Sequence, residues 1–178
     1  EIYNYIDLKK ELSNDYTFLT NSDTEVILAS YEKWGEDCVT HLRGMFAFTI
    51  FDAKRNFVFC ARDRFGIKPF YYYQSKGVFY FASEVKVLLP FVTEIKTNES
   101  ALSEYLFFQF GLGHDTLFQG INQLSPAHTL TVNNGDLRFK KYWEVYYNPD
   151  FSKTSKYFNE TLNDLLYQSI EYHTVSDV

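Results

Sequence analysis

The sequence ARDRFGIKPFYY, residues 61–72, connects two hairpins that are rich in β-forming residues. Residues 45–52 and 56–62 form the first predicted hairpin, and residues 70–74 and 78–82 form the second. Several of these runs are apolar almost throughout, which is typical of strands that are covered on both faces. We therefore predict a core of aromatic-rich sheets, within which residues 63–69 form a charged and rigid turn.

Helices are predicted before and after these strands in the sequence. Asn21-Ser22-Asp23 is a helix-start signal, because a side-chain oxygen there can accept an unpaired backbone N–H, and Gly35 is predicted to end that helix. Further helices are predicted over residues 5–12, 36–42, 84–89, 100–110 and 155–175, with another hairpin over 128–132 and 137–142. The last helix carries an apolar stripe made of Phe158, Leu162, Leu165, Leu166 and Ile170. Such a stripe would be a sticky patch if nothing covered it.

The composition is that of an ordinary globular protein with an excess of aromatic residues. Hydrophobic residues make up 46% of the 178-residue chain, charged residues 22% and aromatic residues 20%. The net charge of −6 disfavours contacts with phosphate groups, so nucleic acid is not an expected partner. No apolar run approaches the roughly 18 residues that a membrane helix needs, and no signal peptide is visible. We expect a cytoplasmic protein without a membrane partner.

The cysteines and histidines follow no metal-binding or disulfide pattern. Cys38 and Cys60 are expected to be two reduced, buried thiols, since a pair in an acidic chain of this kind is no disulfide framework. The four histidines are scattered without the spacing of metal ligands. We therefore predict no metal site.

Four motifs resemble those of glutamine-dependent asparagine synthetases and occur in the same order as in that family. They are EIYN at residues 1–4, SDTEV at residues 22–26, RDRFGIKPFYY at residues 62–72 and FASEVK at residues 81–86. In the family these motifs lie in the N-terminal glutaminase half, which is a class II amidotransferase domain. The resemblance also leaves open that the charged turn, residues 63–69, borders the route to the synthetase half.

The resemblance implies an α+β fold, namely an incomplete αββα sandwich of the N-terminal-nucleophile hydrolase type with an added C-terminal helix. Residues 1–145 would be a glutaminase domain that lacks its N-terminal segment. Residues 146–178 would be a linker and the first helix of the ATP-dependent synthetase domain. The motif RGMFAF, residues 43–48, is similar to a strand of the family. There Gly44 would allow a close backbone approach and Arg43 would pair with a carboxylate.

Two residues are expected to bind glutamine. By resemblance, Glu1 and Asp23 match family residues that contact the head group of glutamine. A carboxylate near a helix N-terminus is favoured by the helix dipole and can pair with the ligand ammonium. Without the motif, Asp23 would be an ordinary helix N-cap and Glu1 a solvated terminus.

No catalytic residue is predicted within the chain. The family uses the thiol of an N-terminal cysteine, whose α-amino group can serve as the base, and that cysteine should lie upstream of Glu1. The family's oxyanion hole and the arginine that binds the glutamine carboxylate should lie there too. Neither Cys38 nor Cys60 has a free amine beside it, so we expect the chain on its own to be inactive.

The sites for ATP, Mg²⁺ and aspartate are also expected outside this chain. Ser176-Asp177-Val178 resembles the residues that precede the pyrophosphate loop of the family. ATP and Mg²⁺ would therefore be cofactors of the full-length enzyme, and this chain would bind neither. Glutamine would bind to the chain weakly or not at all. The family often forms dimers, so a homodimer is a further expectation.

Other functions remain open from the sequence. The purine-pathway amidophosphoribosyltransferase and glucosamine-phosphate synthase share SDTEV, whereas residues 68–72, 81–86 and 176–178 favour asparagine synthetase. An asparagine-synthetase-like enzyme that amidates another carboxylate would have the same motifs here. A different class of protein, a non-catalytic interaction module that retains the fold, is the remaining alternative.

Overall fold

A computed structural model describes residues 1–174 of the chain, so the motif at residues 176–178 lies outside the described residues. The structure divides into two compact units. One unit contains Glu1–Gly44 together with the chain from Glu144 onward, and the other contains Met45–Trp143. The predicted domain boundary at residues 145 and 146 stays a prediction.

Helices and strands alternate in blocks along the chain. The helices are α1 (Tyr5–Leu12), α2 (Asp23–Trp34), α3 (Cys38–His41), α4 (Val85–Leu88), α5 (Glu99–Phe108) and α6 (Ser155–Thr174), with 3₁₀ turns at Gly35–Asp37 and Leu89–Phe91. The strands are β1 (Ala47–Asp52), β2 (Phe57–Arg62), β3 (Tyr71–Ser75), β4 (Val78–Ala82), β5 (Asn122–Gln123), β6 (His128–Asn133) and β7 (Asp136–Lys141). Among the helices of residues 1–174, none has both the length and the apolar character needed to cross a membrane.

The Met45–Trp143 unit contains two antiparallel sheets that pack face to face. One sheet has the strand order β1-β2-β6-β7 and the other the order β4-β3-β5. A buried cluster between them takes side chains from both sheets, namely Cys60, Phe70, Tyr72, Leu124, Leu130 and Val132. The rings of Tyr72 and Phe139, one from each sheet, lie 5.9 Å apart. These two sheets are the aromatic-rich core that the apolar runs predict.

The predicted hairpins are confirmed to within two residues. In the β6–β7 turn, Asn134 and Gly135 have φ angles of 50° and 89°, as the turn sequence predicts. Strand β5 was not predicted, because two residues are too few to show a period. Helix α5 buries only Ala101, and Leu106 is 67% exposed.

The other unit is helical. Its core is formed by side chains of α1, α2 and α3, including Leu8, Leu12, Val26, Ala29 and Val39. Helix α6 has no buried residue, and the predicted stripe from Phe158 to Ile170 is 49–59% exposed. Thus α6 has the predicted amphipathic pattern while its apolar face is largely open.

Candidate functional site

The candidate site lies where residues 1–4 run antiparallel to residues 41–44. Ile2 and Gly44 form an antiparallel bridge, and the Tyr3 N–H donates to the Arg43 carbonyl at 2.7 Å. A Cβ at Gly44 would overlap the Glu1 carbonyl oxygen and come within 3.0 Å of Ile2 Cα. The predicted role of Gly44, a close backbone approach, is therefore confirmed.

The side chain of Asn4 closes the other end of this pairing. Asn4 Nδ2 donates to the His41 carbonyl at 3.0 Å, and the Arg43 N–H donates to Asn4 Oδ1 at 2.9 Å. One amide side chain thus satisfies a donor and an acceptor of the opposite segment. The Arg43 guanidinium lies 4.1 Å from the centroid of the Tyr172 ring. Within residues 1–174 it stacks on that ring and does not pair with a carboxylate.

Asp23 is the first residue of α2, and its carboxylate reaches back to the chain start. The N-cap of α2 is Ser22, whose hydroxyl accepts the Thr24 N–H at 3.2 Å, so Asp23 is not an ordinary N-cap. Asp23 Oδ2 accepts the Ile2 N–H at 3.0 Å and lies 3.7 Å from the Glu1 main-chain nitrogen. The structure therefore brings the two predicted glutamine-binding residues together, with a quarter of the Asp23 side chain exposed.

Glu25 fixes the loop that leads into α2, a role that we did not predict. Its carboxylate accepts the N–H groups of Leu19 and Thr20, each at 2.7 Å, and the Thr20 hydroxyl at 2.5 Å. These hydrogen bonds lower the pKa of Glu25 below its ordinary value. The spacing of Ser22 and Glu25, S-x-x-E, is that of a capping box and could have identified this residue. Here the glutamate reaches beyond the N-cap to the loop before it.

The charged turn in the Met45–Trp143 unit is organised by Asp63. This carboxylate is 1% exposed and accepts the main-chain N–H groups of Phe46, Phe65, Ile67 and Lys68. Four donors around one buried carboxylate hold the turn in a single conformation. This agrees with a charged and rigid turn, whereas a place beside the route to the synthetase half stays a prediction.

Arg62 supports the same turn from its other side. Its guanidinium donates to the carbonyls of Lys68 and Gly66, each at 2.8 Å, and of Leu124 at 2.5 Å. Burial lowers the pKa of Arg62, since a charged group is disfavoured away from water. The carbonyl oxygens supply the hydrogen bonds that make this burial tolerable. The Arg62 guanidinium is therefore engaged in hydrogen bonds within the fold and is too buried to contact a ligand.

Both thiols are buried and poorly suited to act as nucleophiles. Cys38 in α3 and Cys60 in β2 are free cysteines with no exposed surface, as predicted. Burial raises the pKa of each thiol to about 12. Because the thiolate is the nucleophile, neither side chain is suited to attack an amide. Within residues 1–174, no group of three or more His, Cys, Asp and Glu side chains is arranged to hold a metal ion.

Comparison with known proteins identifies relatives of this chain. Residues 1–143 match a family model described as glutamine amidotransferase domain. The chain is 41% identical to asparagine synthetase (glutamine-hydrolysing) 1 of Bacillus subtilis strain 168 and 40% identical to asparagine synthetase (glutamine-hydrolysing) 3 of the same strain. Both alignments cover 100% of the chain and 28% and 29% of the relatives. The chain thus spans less than a third of their length.

A solved structure shows the same fold. The glutamine phosphoribosylpyrophosphate amidotransferase from B. subtilis, complexed with ADP and GMP, matches with a TM-score of 0.56 at 18% identity. The match covers 80% of this chain and 27% of that chain. It confirms the predicted α+β fold of the N-terminal-nucleophile hydrolase type. From its sequence match over residues 1–143, the chain belongs to the glutamine amidotransferase domain family.

Proposed function

We propose that this chain is the glutaminase part of a glutamine-dependent asparagine synthetase, in which the Asp23 carboxylate binds the ammonium group of glutamine. The observation that carries the proposal is the identity of 40–41% to two asparagine synthetases along the whole chain. The position of Asp23 supports it, since a partly exposed carboxylate at a helix N-terminus lies beside Glu1.

The two oxygens of Asp23 have different tasks in this proposal. Oδ2 accepts the Ile2 N–H and keeps the carboxylate oriented. Oδ1 has no hydrogen-bond partner among residues 1–174, and it is the atom we assign to the ligand ammonium. A charge-assisted hydrogen bond to an ammonium is stronger than one between neutral groups. Glu1, whose main-chain nitrogen lies 3.7 Å from Asp23, would supply the second carboxylate.

The reaction assigned to this half is the hydrolysis of glutamine to glutamate and ammonia. Cys38 and Cys60 are excluded as the nucleophile by burial and by their raised pKa. We therefore assign the attacking thiol to another part of the full-length enzyme. We likewise assign the ATP, Mg²⁺ and aspartate sites to another part of the full-length enzyme, which we propose is a cytoplasmic ligase. A homodimer remains part of the proposal.

The glutamine assignment is tested by ligand-observed NMR titration of the chain and of Asp23→Asn. Loss of one charge-assisted contact of about 1.5–3 kcal/mol should weaken glutamine binding about ten-fold or more. Asp7→Asn is the matched control, because Asp7 is an exposed aspartate in the first turn of α1. Glutaramate, which is glutamine without the α-amino group, should bind the wild type and Asp23→Asn equally. Unchanged glutamine affinity in Asp23→Asn would remove Asp23 from the site.

An acceptor other than aspartate would be recognised by its product. The full-length enzyme supplied with ATP, Mg²⁺ and glutamine would then amidate that carboxylate and release no asparagine. A non-catalytic module would release neither glutamate nor an amide under the same conditions.

A further inference from the structure

The end of helix α6 packs against both chain segments of the candidate site, residues 1–4 and 41–44. The Tyr172 ring lies beneath the Arg43 guanidinium, 4.1 Å from ring centroid to Cζ. The next residue, His173, places its ring 4.6 Å from the Tyr3 ring. Its Nδ1 also contacts the Ser169 carbonyl at 2.6 Å, which fixes the ring to the helix. Two consecutive residues of α6 therefore touch the two residues that face each other across the site.

Those two residues are joined to each other and, through the backbone, to Asp23. Tyr3 donates its N–H to the Arg43 carbonyl at 2.7 Å. The residue before Tyr3, Ile2, donates its N–H to Asp23 Oδ2 at 3.0 Å and forms the bridge with Gly44. A displacement of the Tyr3–Arg43 pair would therefore move the donor that orients the Asp23 carboxylate.

Few other contacts hold α6 in place. No residue of the helix is buried, and its apolar stripe is about half exposed. The two aromatic contacts at its end are thus a large part of what joins α6 to the site. A helix held in this way can be shifted by a neighbouring segment without disrupting a packed core.

We infer that Tyr172 and His173 are positioning residues for the glutamine head-group site, and that the position of α6 regulates glutamine affinity. The inference rests on the proposed function, because it assumes that Asp23 binds glutamine. Arg43 then has a role as well. Its guanidinium packs against the Tyr172 ring of α6, and its main-chain carbonyl accepts the Tyr3 N–H.

The test compares Tyr172→Leu with Tyr172→Phe and with Tyr167→Leu as the control. Tyr167 is on the same helix and is 73% exposed, so the control makes the same chemical change without removing the Arg43 contact. Glutamine affinity should fall about two- to five-fold in Tyr172→Leu, the range that one exposed cation–π contact supports. Tyr172→Phe should retain wild-type affinity, because the ring face is kept. Hydrogen exchange of the Tyr3 amide should accelerate by a similar factor in Tyr172→Leu alone.

Three results would overturn the inference. One is equal affinity and equal Tyr3 exchange in Tyr172→Leu and Tyr167→Leu. Another is failure of Tyr172→Phe to restore the affinity. If Asp23→Asn weakens glutamine binding and Tyr172→Leu does not, the proposed function stands and the positioning role fails. If the full-length protein that contains this sequence binds no glutamine, the proposed function fails and the positioning role fails with it.

Discussion

Replacing Asp63 by asparagine is expected to destabilise the Met45–Trp143 unit strongly, although the two side chains have nearly the same shape. Each carboxylate oxygen accepts two main-chain N–H groups. Oδ1 is 3.1 Å from Phe65 N and 2.9 Å from Ile67 N, and Oδ2 is 3.3 Å from Phe46 N and 2.9 Å from Lys68 N. An asparagine has one acceptor oxygen, so its amide NH₂ must face two N–H donors.

The expected loss follows from the number of donors left without an acceptor. Each buried, unsatisfied donor costs about 1–3 kcal/mol, so Asp63→Asn should lower the free energy of unfolding by about 2–6 kcal/mol. Asp63→Ala removes all four acceptor contacts and should cost at least as much. These values are a large part of the 5–15 kcal/mol that is typical of a folded domain.

Urea unfolding at pH 7 followed by tryptophan fluorescence in a Trp34→Phe background is the assay, since Trp143 lies in this unit and Trp34 lies in the other. The control is Asp136→Asn, because Asp136 is an exposed residue at the start of β7 and its substitution should change the free energy by less than about 0.5 kcal/mol. Stability of Asp63→Asn within 1 kcal/mol of wild type, taken as about the scatter of such measurements, would refute the reasoning.

Four further predictions concern the helical unit and the thiols. Cys38 and Cys60 should resist iodoacetamide at pH 8 until urea is added, because burial raises the pKa of both to about 12; rapid labelling of the folded chain would contradict this. Because folding raises the pKa of both thiols, their contribution to the free energy of unfolding is fully present below the pKa of an unfolded thiol and is lost as the pH rises toward 12. An unfolding midpoint that does not change from pH 9 to 11 would count against this. Gly44→Ala should lower the melting temperature and the glutamine affinity together, since its Cβ overlaps the Glu1 carbonyl; wild-type values for both would show that the approach is not close. Glu25 has a lowered pKa, so its contribution to stability is present above its ordinary value of 4.5 and is lost as the pH falls below it; Glu25→Gln should lack that loss, and an identical acid profile would disprove the assignment.

The local features of this fold are readable from the sequence because they depend on neighbouring residues. The β6–β7 turn follows from Asn134-Gly135, which tolerates positive φ. The start of α2 follows from Ser22, whose hydroxyl accepts the Thr24 N–H. Burial of Cys60 follows from its place within an apolar run of β2.

The features that were not predicted depend on residues far apart in the chain. The Phe46 N–H that helps to hold Asp63 lies 17 residues away, and no local pattern pairs them. Contact between Arg43 and Tyr172 joins residues that are far apart in the chain, so the sequence predicts a carboxylate partner for Arg43 where the structure has a ring. For the candidate site, the SDTEV motif predicts that Asp23 binds glutamine. The hydrogen bond from the Ile2 N–H to its carboxylate is seen only in the structure.

The most direct test of the account follows the amide nitrogen of glutamine. The full-length protein that contains this sequence is incubated with aspartate, ATP, Mg²⁺ and glutamine labelled with ¹⁵N at the side-chain amide, and the products are analysed by mass spectrometry. We expect ¹⁵N in the side-chain amide of asparagine, with formation of one glutamate per asparagine, and a much lower rate at limiting glutamine in Asp23→Asn. Absence of labelled asparagine, together with unconsumed glutamine, would contradict it.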